Sequence, residues 1–177
     1  MIEAEIKFQI KDFSAIEKKV DKIAEFVIEK SEYDIYFNSP FRNFIKTDEA
    51  LRIRKDDEGV SITYKGPKID KRTKTRKEIK IKIDSYDSGI ELLKGLGFFE
   101  SGRVVKKRRI YRIDDIVICL DQVENLGDFI EIEIQTESFS LEENISKIFE
   151  IAEKLGFSEN QSIRKSYLEL LREIQIT

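Results

Sequence analysis

The chain has 177 residues, of which 40% are hydrophobic and 38% are charged, with eight glycines and two prolines. This composition is typical of one folded domain over residues 1–177 and excludes disordered and collagen-like chains. Because the chain has no histidine and a single cysteine, Cys119, histidine-dependent catalysis, an intramolecular disulfide and a cysteine-cluster zinc site are also excluded.

The net charge of −3 is the difference between 35 acidic and 32 basic residues, so no general attraction to nucleic acid or to an anionic membrane is expected. No apolar stretch approaches the ~20 residues of a membrane span, and the N-terminus is too charged for a signal peptide. We therefore expect a cytoplasmic protein. Abundant Lys, Glu and Ile with almost no His, Trp or Cys is typical of proteins from hot environments.

The N-terminal segment alternates apolar and polar side chains from Ile2 to Ile10, which predicts a half-buried strand. Asp12 then stands at a helix-capping position, and apolar residues recur at intervals of three and four as far as Val27. We therefore predict a helix from Phe13 to about Glu29 with one buried stripe.

Seven further strands are predicted by short segments rich in β-branched and aromatic residues. They are Tyr33–Asn38, Ala50–Lys55, Val60–Lys65, Thr75–Ile83, Val104–Ile113, Ile116–Val123 and Phe129–Gln135. Turn-forming residues between two pairs of them predict antiparallel hairpins. Helices are predicted at Tyr86–Leu96, Leu141–Leu155 and Ile163–Ile174. The class is α+β, and about eight strands must form either an open sheet or a barrel, whose closure would remove the unpaired edges.

Like-charged carboxylates repeat on the first and last strands. Glu3 and Glu5 share one face of the first strand, and Glu131 and Glu133 share one face of the last. Such neighbours repel unless a cation or opposing bases lie between them, and hard divalent ions take carboxylate oxygens. The pattern indicates a Mg²⁺ or Mn²⁺ site. Two solvated strand faces with lysines nearby are the alternative.

Basic residues show the same spacing. Arg52 and Arg54 share a face, as do Lys106 and Arg108, and Lys65 ends another strand. Guanidinium groups suit phosphate oxygens, and because no glycine-rich phosphate loop is present, side chains would have to bind a polyphosphate. Surface ion pairing is the alternative. We favour that alternative for a polar run predicted to be an exposed loop, with Lys71, Arg72, Lys74 and Lys77.

A barrel with its apolar faces outward, under the helices, would bring these charged faces together in one interior. Buried charges without partners cost several kcal/mol each. A charged ligand with its metal ion is therefore the physical reason for such an interior.

Several motifs, in their order along the chain, resemble those of the CYTH superfamily, the triphosphate tunnel metalloenzymes, which includes class IV adenylyl cyclases and thiamine triphosphatases. The motifs are Glu3-Ala4-Glu5-Ile6-Lys7, Leu51-Arg52-Ile53-Arg54, Thr63-Tyr64-Lys65-Gly66-Pro67, Arg76-Lys77-Glu78, Lys106-Lys107-Arg108, Leu120-Asp121, Phe129-Ile130-Glu131-Ile132-Glu133 and Lys165-Ser166-Tyr167. The segment from Tyr33 to Pro40 most resembles the class IV cyclase branch, although Glu32 stands where that branch leads us to expect glutamine.

This resemblance implies an antiparallel eight-stranded tunnel that binds a triphosphate with two divalent ions, Mg²⁺ or Mn²⁺. It assigns metal binding to Glu3, Glu5, Glu78, Asp121, Glu131 and Glu133. It assigns phosphate binding to Lys7, Arg52, Arg54, Lys65, Lys106 and Arg108, with Lys7, Lys65, Lys106 and Arg108 as candidate catalytic residues. For Asp121, which shares a face with Val117 and Cys119, a buried structural aspartate is the alternative.

Two reactions fit such a tunnel. In a cyclase the ribose 3′ oxygen of ATP attacks the α-phosphorus, which gives 3′,5′-cyclic AMP and pyrophosphate. In a triphosphatase, water attacks the terminal phosphorus of inorganic triphosphate, a nucleoside triphosphate or thiamine triphosphate. The Tyr36-Phe37 segment and the chain length favour the class IV adenylate cyclase.

A non-catalytic module that binds polyphosphate or RNA is a third possibility. The retained carboxylate pairs disfavour it, because an anion-binding module gains nothing from them. The expected partner is thus a small-molecule triphosphate rather than nucleic acid, and a homodimer is the default oligomer.

Overall fold

The computed structural model describes residues 2–137 and 140–176, with the backbone alone for Ile176. Its elements are β1 (Ile2–Ile10), α1 (Phe13–Val20), β2 (Glu25–Asn38), β3 (Ala50–Asp56), β4 (Gly59–Lys68), β5 (Arg76–Ile83), α2 (Tyr86–Gly95), β6 (Phe99–Ile113), β7 (Ile116–Val123), β8 (Gly127–Thr136), α3 (Leu141–Leu155) and α4 (Tyr167–Ile176). A single 3₁₀ turn, Glu159–Gln161, lies between α3 and α4.

The eight strands form a closed antiparallel barrel in the order β1-β5-β4-β3-β2-β6-β7-β8. Together with four helices, this confirms the predicted α+β class and the predicted barrel. The closure is uneven, because β1 pairs with β8 over nine residues but with β5 at two positions, Ile2 with Lys77 and Glu3 with Arg76.

The first helix is shorter than predicted. Asp12 caps it as expected by accepting a hydrogen bond from the Ala15 amide at 3.0 Å, but α1 ends at Val20. The predicted helical residues Glu25–Glu29 belong to β2, which pairs with β6 along almost its whole length. A continuous ladder of hydrogen bonds to a neighbouring strand outweighs the local helical periodicity of this segment.

The last helix begins later than predicted, at Tyr167 rather than Ile163. The Ile163 amide instead donates a hydrogen bond to the Lys7 carbonyl at 2.8 Å, so this segment crosses from α3 to the end of β1. The Ser166 hydroxyl accepts from the Glu169 amide at 3.2 Å, which caps α4.

The helices pack on the outside of the barrel. The outward residues of β1, among them Ala4, Ile6 and Phe8, form a core with β7, β8, α1 and α3. α4 lies against β6, where a Cβ on Gly102 would stand 2.5 Å from the Leu168 side chain. In the described part of the chain, no helix is long and apolar enough to cross a membrane.

Alternation along the strands turns the charged faces inward. In β1 the buried residues Glu3, Glu5 and Lys7 alternate with Ala4 and Ile6, which face α3. The barrel interior is therefore polar, as the sequence predicts.

Candidate active site in the barrel interior

The barrel encloses a cavity of about 210 Å³. Its mouth is bordered by the loop between β2 and β3, including Ile45 and Asp48, and by the start of α4. Ten of the predicted site residues line it, namely Glu3, Glu5, Arg52, Arg54, Lys65, Glu78, Lys106, Arg108, Glu131 and Glu133. The other two, Lys7 and Asp121, do not line the cavity.

Three carboxylates form a cluster on one wall. Glu3, Glu5 and Glu133 each place an oxygen within 4.8 Å of the other two. Glu5 and Glu133 are direct cross-strand partners on β1 and β8. Within the described residues, the Glu133 side chain has neither a hydrogen bond nor an ion pair. Its burial, together with the Glu3 carboxylate, raises the pKa of Glu133 to about 8.

This cluster fits a hard divalent cation. Carboxylate oxygens are the donors that Mg²⁺ and Mn²⁺ prefer, and the raised pKa means that Glu133 binds a proton when no cation is present. Lys65 Nζ lies 2.9 Å from Glu3 and 2.7 Å from Glu78, and Lys74 Nζ contacts Glu5, so within the described residues Glu133 is the member of the cluster without an ion pair. In this arrangement Glu78 pairs with a lysine and lies outside the three-carboxylate cluster.

Glu131 has different neighbours although it is two residues from Glu133. Its carboxylate pairs with Lys7 at 3.1 Å, with Lys74 at 3.4 Å and with Arg108. Burial alone would raise the pKa of Glu131, but the surrounding positive charges hold it well below the ordinary value. Glu131 is thus an ionised carboxylate whose charge is balanced from within the chain.

Asp121 is fully buried and holds other side chains in place. It accepts hydrogen bonds from Arg108 Nε at 2.6 Å and from the Tyr167 hydroxyl at 2.7 Å. Lys106 Nζ lies 3.5 Å away. This geometry matches the alternative interpretation of Asp121 as a structural aspartate, and the metal-binding role stays a prediction.

Lys7 is buried beneath the C-terminal segment. Its Nζ donates to the Lys165 carbonyl at 3.0 Å and lies 3.8 Å from the centre of the Tyr167 ring. Burial and the nearby Lys74 ammonium lower the pKa of Lys7 to about 7. Its contacts are therefore with Glu131, Tyr167 and Lys165, and its predicted contact with phosphate remains untested.

The two arginines of β3 are in different environments. Arg54 is engaged by protein, with Nε and Nη2 each 2.7 Å from Asp34 and Nη1 2.6 Å from Glu32. Arg52 reaches Asp34 at 3.5 Å only, and its buried Nε has no hydrogen-bond partner. Arg52 therefore lines the cavity with a guanidinium group that protein atoms engage only in part.

The prediction that Lys74 lies on an exposed loop is wrong. This side chain lines the cavity, and its Nζ contacts Glu5 and Glu131. The Lys74 amide also donates to the Glu5 carbonyl at 2.9 Å, which ties the loop to β1 where β1 and β5 barely pair. Arg72 does form a surface ion pair, at 2.6 Å from Glu142.

Sequence reasoning also missed three inward-facing residues, Glu32, Asp34 and Tyr167. The first two lie on β2, and alternation from the predicted strand at Tyr33 would have placed Asp34 inside. For the loop that carries Lys74, the residue that could have indicated an ordered conformation is Asp70. Its carboxylate accepts hydrogen bonds from the Arg72 and Thr73 amides at 2.8 and 2.9 Å. An Asx turn of this kind indicates an ordered loop.

The sequence profile of the CYTH domain matches residues 1–167. A Methanocaldococcus jannaschii protein with a provisional adenylate cyclase name is 43% identical over 172 residues, which cover 96% of this chain and 98% of that protein. Adenylate cyclase CyaB of Aeromonas hydrophila is 26% identical over 173 residues, 95% of this chain and 87% of that protein. The solved structure of the PH1819 protein of Pyrococcus horikoshii is 43% identical, with a TM-score of 0.90 over 97% of this chain and 99% of that one. The profile match, the two relatives and the shared barrel agree with the motif order, and the chain belongs to the CYTH domain family.

Proposed function

We propose that this protein is a metal-dependent class IV adenylate cyclase, which converts ATP to 3′,5′-cyclic AMP and pyrophosphate. The observation that carries the proposal is one cavity that combines a cationic interior, a carboxylate cluster in which Glu133 has no ion pair among the described residues, and aromatic and aliphatic side chains beside the mouth. Each part matches one part of MgATP: the triphosphate, the metal ion and the nucleoside.

The apolar mouth supports a nucleotide over inorganic triphosphate. Tyr36, Phe44, Ile45 and Leu168 line it. Phe44 is held by two aromatic neighbours, with ring centres 6.5 Å from Tyr64 and 6.2 Å from Phe98. Aromatic faces stabilise nucleobases by stacking, whereas inorganic triphosphate has no group that would use them.

The interior supports binding of a phosphate chain. Arg52, Lys65 and Lys106 line the cavity together with the β5 side chains Arg76 and Lys80. Charged donors on separate strands would fix the chain at several oxygens, so the reacting phosphorus is oriented by a rigid barrel. Stabilising charge on the departing pyrophosphate is the main catalytic task of these side chains.

Glu3, Glu5 and Glu133 would hold the divalent ion. When bound, Mg²⁺ or Mn²⁺ supplies positive charge against phosphate oxygens and favours ionisation of the attacking hydroxyl. Because the chain has no histidine, carboxylates and lysines of the cavity are the groups available to accept the proton that leaves this hydroxyl. The described residues offer one such three-carboxylate cluster, and a second ion stays a prediction.

Identification of products tests the proposal. The purified protein is incubated with ATP, inorganic triphosphate or thiamine triphosphate, with Mg²⁺ or Mn²⁺, and followed by phosphorus NMR. We expect pyrophosphate and 3′,5′-cyclic AMP from ATP, and neither from the Glu133→Gln variant. Orthophosphate with ADP would replace the cyclase by a triphosphatase. Binding of triphosphates without turnover would favour the non-catalytic module.

A further inference from the structure

The inner end of the cavity contains a carboxylate that the mechanism above does not use. Glu32 on β2 is 1% exposed and faces into the barrel. One of its oxygens lies 2.6 Å from Arg54 Nη1, 3.2 Å from Lys106 Nζ and 4.0 Å from Arg108 Nε. These three bases line the cavity, whereas Glu32 itself does not. Glu32 therefore contacts them from the side that faces away from the cavity.

The barrel beyond Glu32 is closed by ion pairs. Lys30 Nζ lies 3.6 Å from Glu32, 2.8 Å from Asp56 and 2.6 Å from Glu58. Asp56 ends β3 and Glu58 precedes β4, so this group lies at the end of β3 opposite Ala50, which borders the mouth. A phosphate chain that enters at the mouth thus meets Arg54, Lys106 and Arg108 first, with Glu32 and then Lys30 behind them.

Glu32 is a permanent anion at this place. Burial alone would raise its pKa, but Lys106, Arg108 and Arg54 lower the pKa of Glu32 well below the ordinary value. A carboxylate that lies beside several basic groups resembles a phosphate oxygen in charge. It occupies the position that one further phosphate group would need in order to reach the same three bases.

We propose that Glu32 sets the depth of the phosphate site, and thereby limits the bound chain to three phosphates. This inference rests on the proposed function only in placing a phosphate chain in the cavity, and it is independent of the reaction. It also follows that substrate enters and products leave through the mouth beside the β2–β3 loop.

Two substitutions of Glu32 distinguish the effect of its side-chain volume from the effect of its negative charge. Glu32→Ala opens a void between Lys30, Arg54, Lys106 and Arg108, whereas Glu32→Gln removes the charge but fills the space. Binding of inorganic triphosphate and tetraphosphate is measured by calorimetry with Ca²⁺, and phosphorus NMR checks that both stay intact. For Glu32→Ala we expect the preference for tetraphosphate over triphosphate to rise about tenfold, one strong charge-assisted contact.

The Glu32→Gln variant should bind both anions several-fold more tightly, with their ratio unchanged, because Arg54 and Lys106 lose their internal competitor. Glu29→Gln is the matched control, since Glu29 lies on the outer side of the same strand and pairs with Arg109. An unchanged ratio in Glu32→Ala overturns the role of Glu32.

Circular dichroism checks that Glu32→Ala folds. If it does not, the Glu32→Gln variant alone tests the role of Glu32. Unchanged triphosphate affinity in Glu32→Gln then overturns the inference. If the unmodified protein does not bind triphosphate at all, the proposed function fails as well. Triphosphate binding combined with a failed Glu32 test contradicts the depth limit and leaves the proposed function intact.

Discussion

Two groups of carboxylates share the barrel interior but differ in what balances their charge. Glu3, Glu5 and Glu133 approach one another within 4.8 Å, and Glu133 has no base among the described residues. In the second group, each carboxylate contacts an arginine or lysine within hydrogen-bond distance; its members are Glu32, Asp34, Asp121 and Glu131. Glu3 and Glu5 each contact one lysine but Glu133 has no ion pair among the described residues, so the first group keeps a carboxylate that a cation from solution could balance, whereas every member of the second is paired within the fold.

Strand register separates these two groups. Glu131 and Glu133 lie on the same face of β8, two residues apart, so their sequence positions look equivalent. Across the β1–β8 pair, however, Glu131 is opposite Lys7 and Glu133 is opposite Glu5. A shift of two residues in this register would place either Glu131 opposite Glu5 or Glu133 opposite Lys7, so the register decides which carboxylate meets a base. The variants below test whether the two groups also differ in their contributions to turnover and to the free energy of unfolding.

The largest expected effect is on turnover. Glu133→Gln keeps the shape of the side chain but removes a ligand charge from the cluster, so metal-dependent turnover of ATP should fall about a thousandfold. Product formation is measured by phosphorus NMR, with Glu153→Gln on the exposed face of α3 as the control. Normal turnover in Glu133→Gln would remove the cluster from the active site.

The next effect is on stability without metal. Glu131→Gln leaves Lys7 without its ion-pair partner and removes one of the carboxylates that contact Arg108, so the free energy of unfolding should fall by about 3 kcal/mol, the usual scale for breaking a buried ion pair. Glu133→Gln should keep or raise stability, because folding of the metal-free protein no longer requires uptake of a proton at this position. Urea unfolding in EDTA measures both, and equal losses in the two variants would contradict the distinction.

A smaller effect separates the two arginines of β3. Arg52→Lys should weaken triphosphate binding about tenfold, because an ammonium cannot replace a guanidinium fork, with stability nearly unchanged. Arg54→Lys should instead lower stability, because Arg54 makes three close contacts with Asp34 and Glu32. Calorimetry and urea unfolding of both variants check this, and a stability loss confined to Arg52→Lys would reverse the assignment.

The smallest effect concerns pH in the metal-free protein. The pKa of Glu133 is raised to about 8 in the fold. Between its unfolded value and 8, the folded state holds a proton that the unfolded state has lost, so stability decreases as pH rises. From pH 5 to pH 6 this should contribute a loss of about 1 kcal/mol. Unfolding at both pH values compares the protein with Glu133→Gln, which should lose less; identical losses would argue against a protonated Glu133.

The barrel and most of its charged lining could be predicted because alternation fixes which residues share a face of a strand. Alternation does not say which residues lie opposite one another on neighbouring strands, and so it could not distinguish the surroundings of Glu131 from those of Glu133. The end of α1 was missed because pairing of β2 with β6 overrides a local helical pattern. The positions of Lys7 and Lys74 depend on loop segments that cross the barrel, at Lys165 and at the Glu5 carbonyl.

The pairing of the first strand with the last has a consequence for folding during synthesis. β1 has two paired positions with β5, so it stays almost unpaired until residues 127–136 emerge. Contacts between such distant segments form slowly, and until then an apolar strand with a free edge is exposed to aggregation. Because Glu5 and Glu133 lie on these two strands, the carboxylate cluster assembles in the same late step that closes the barrel.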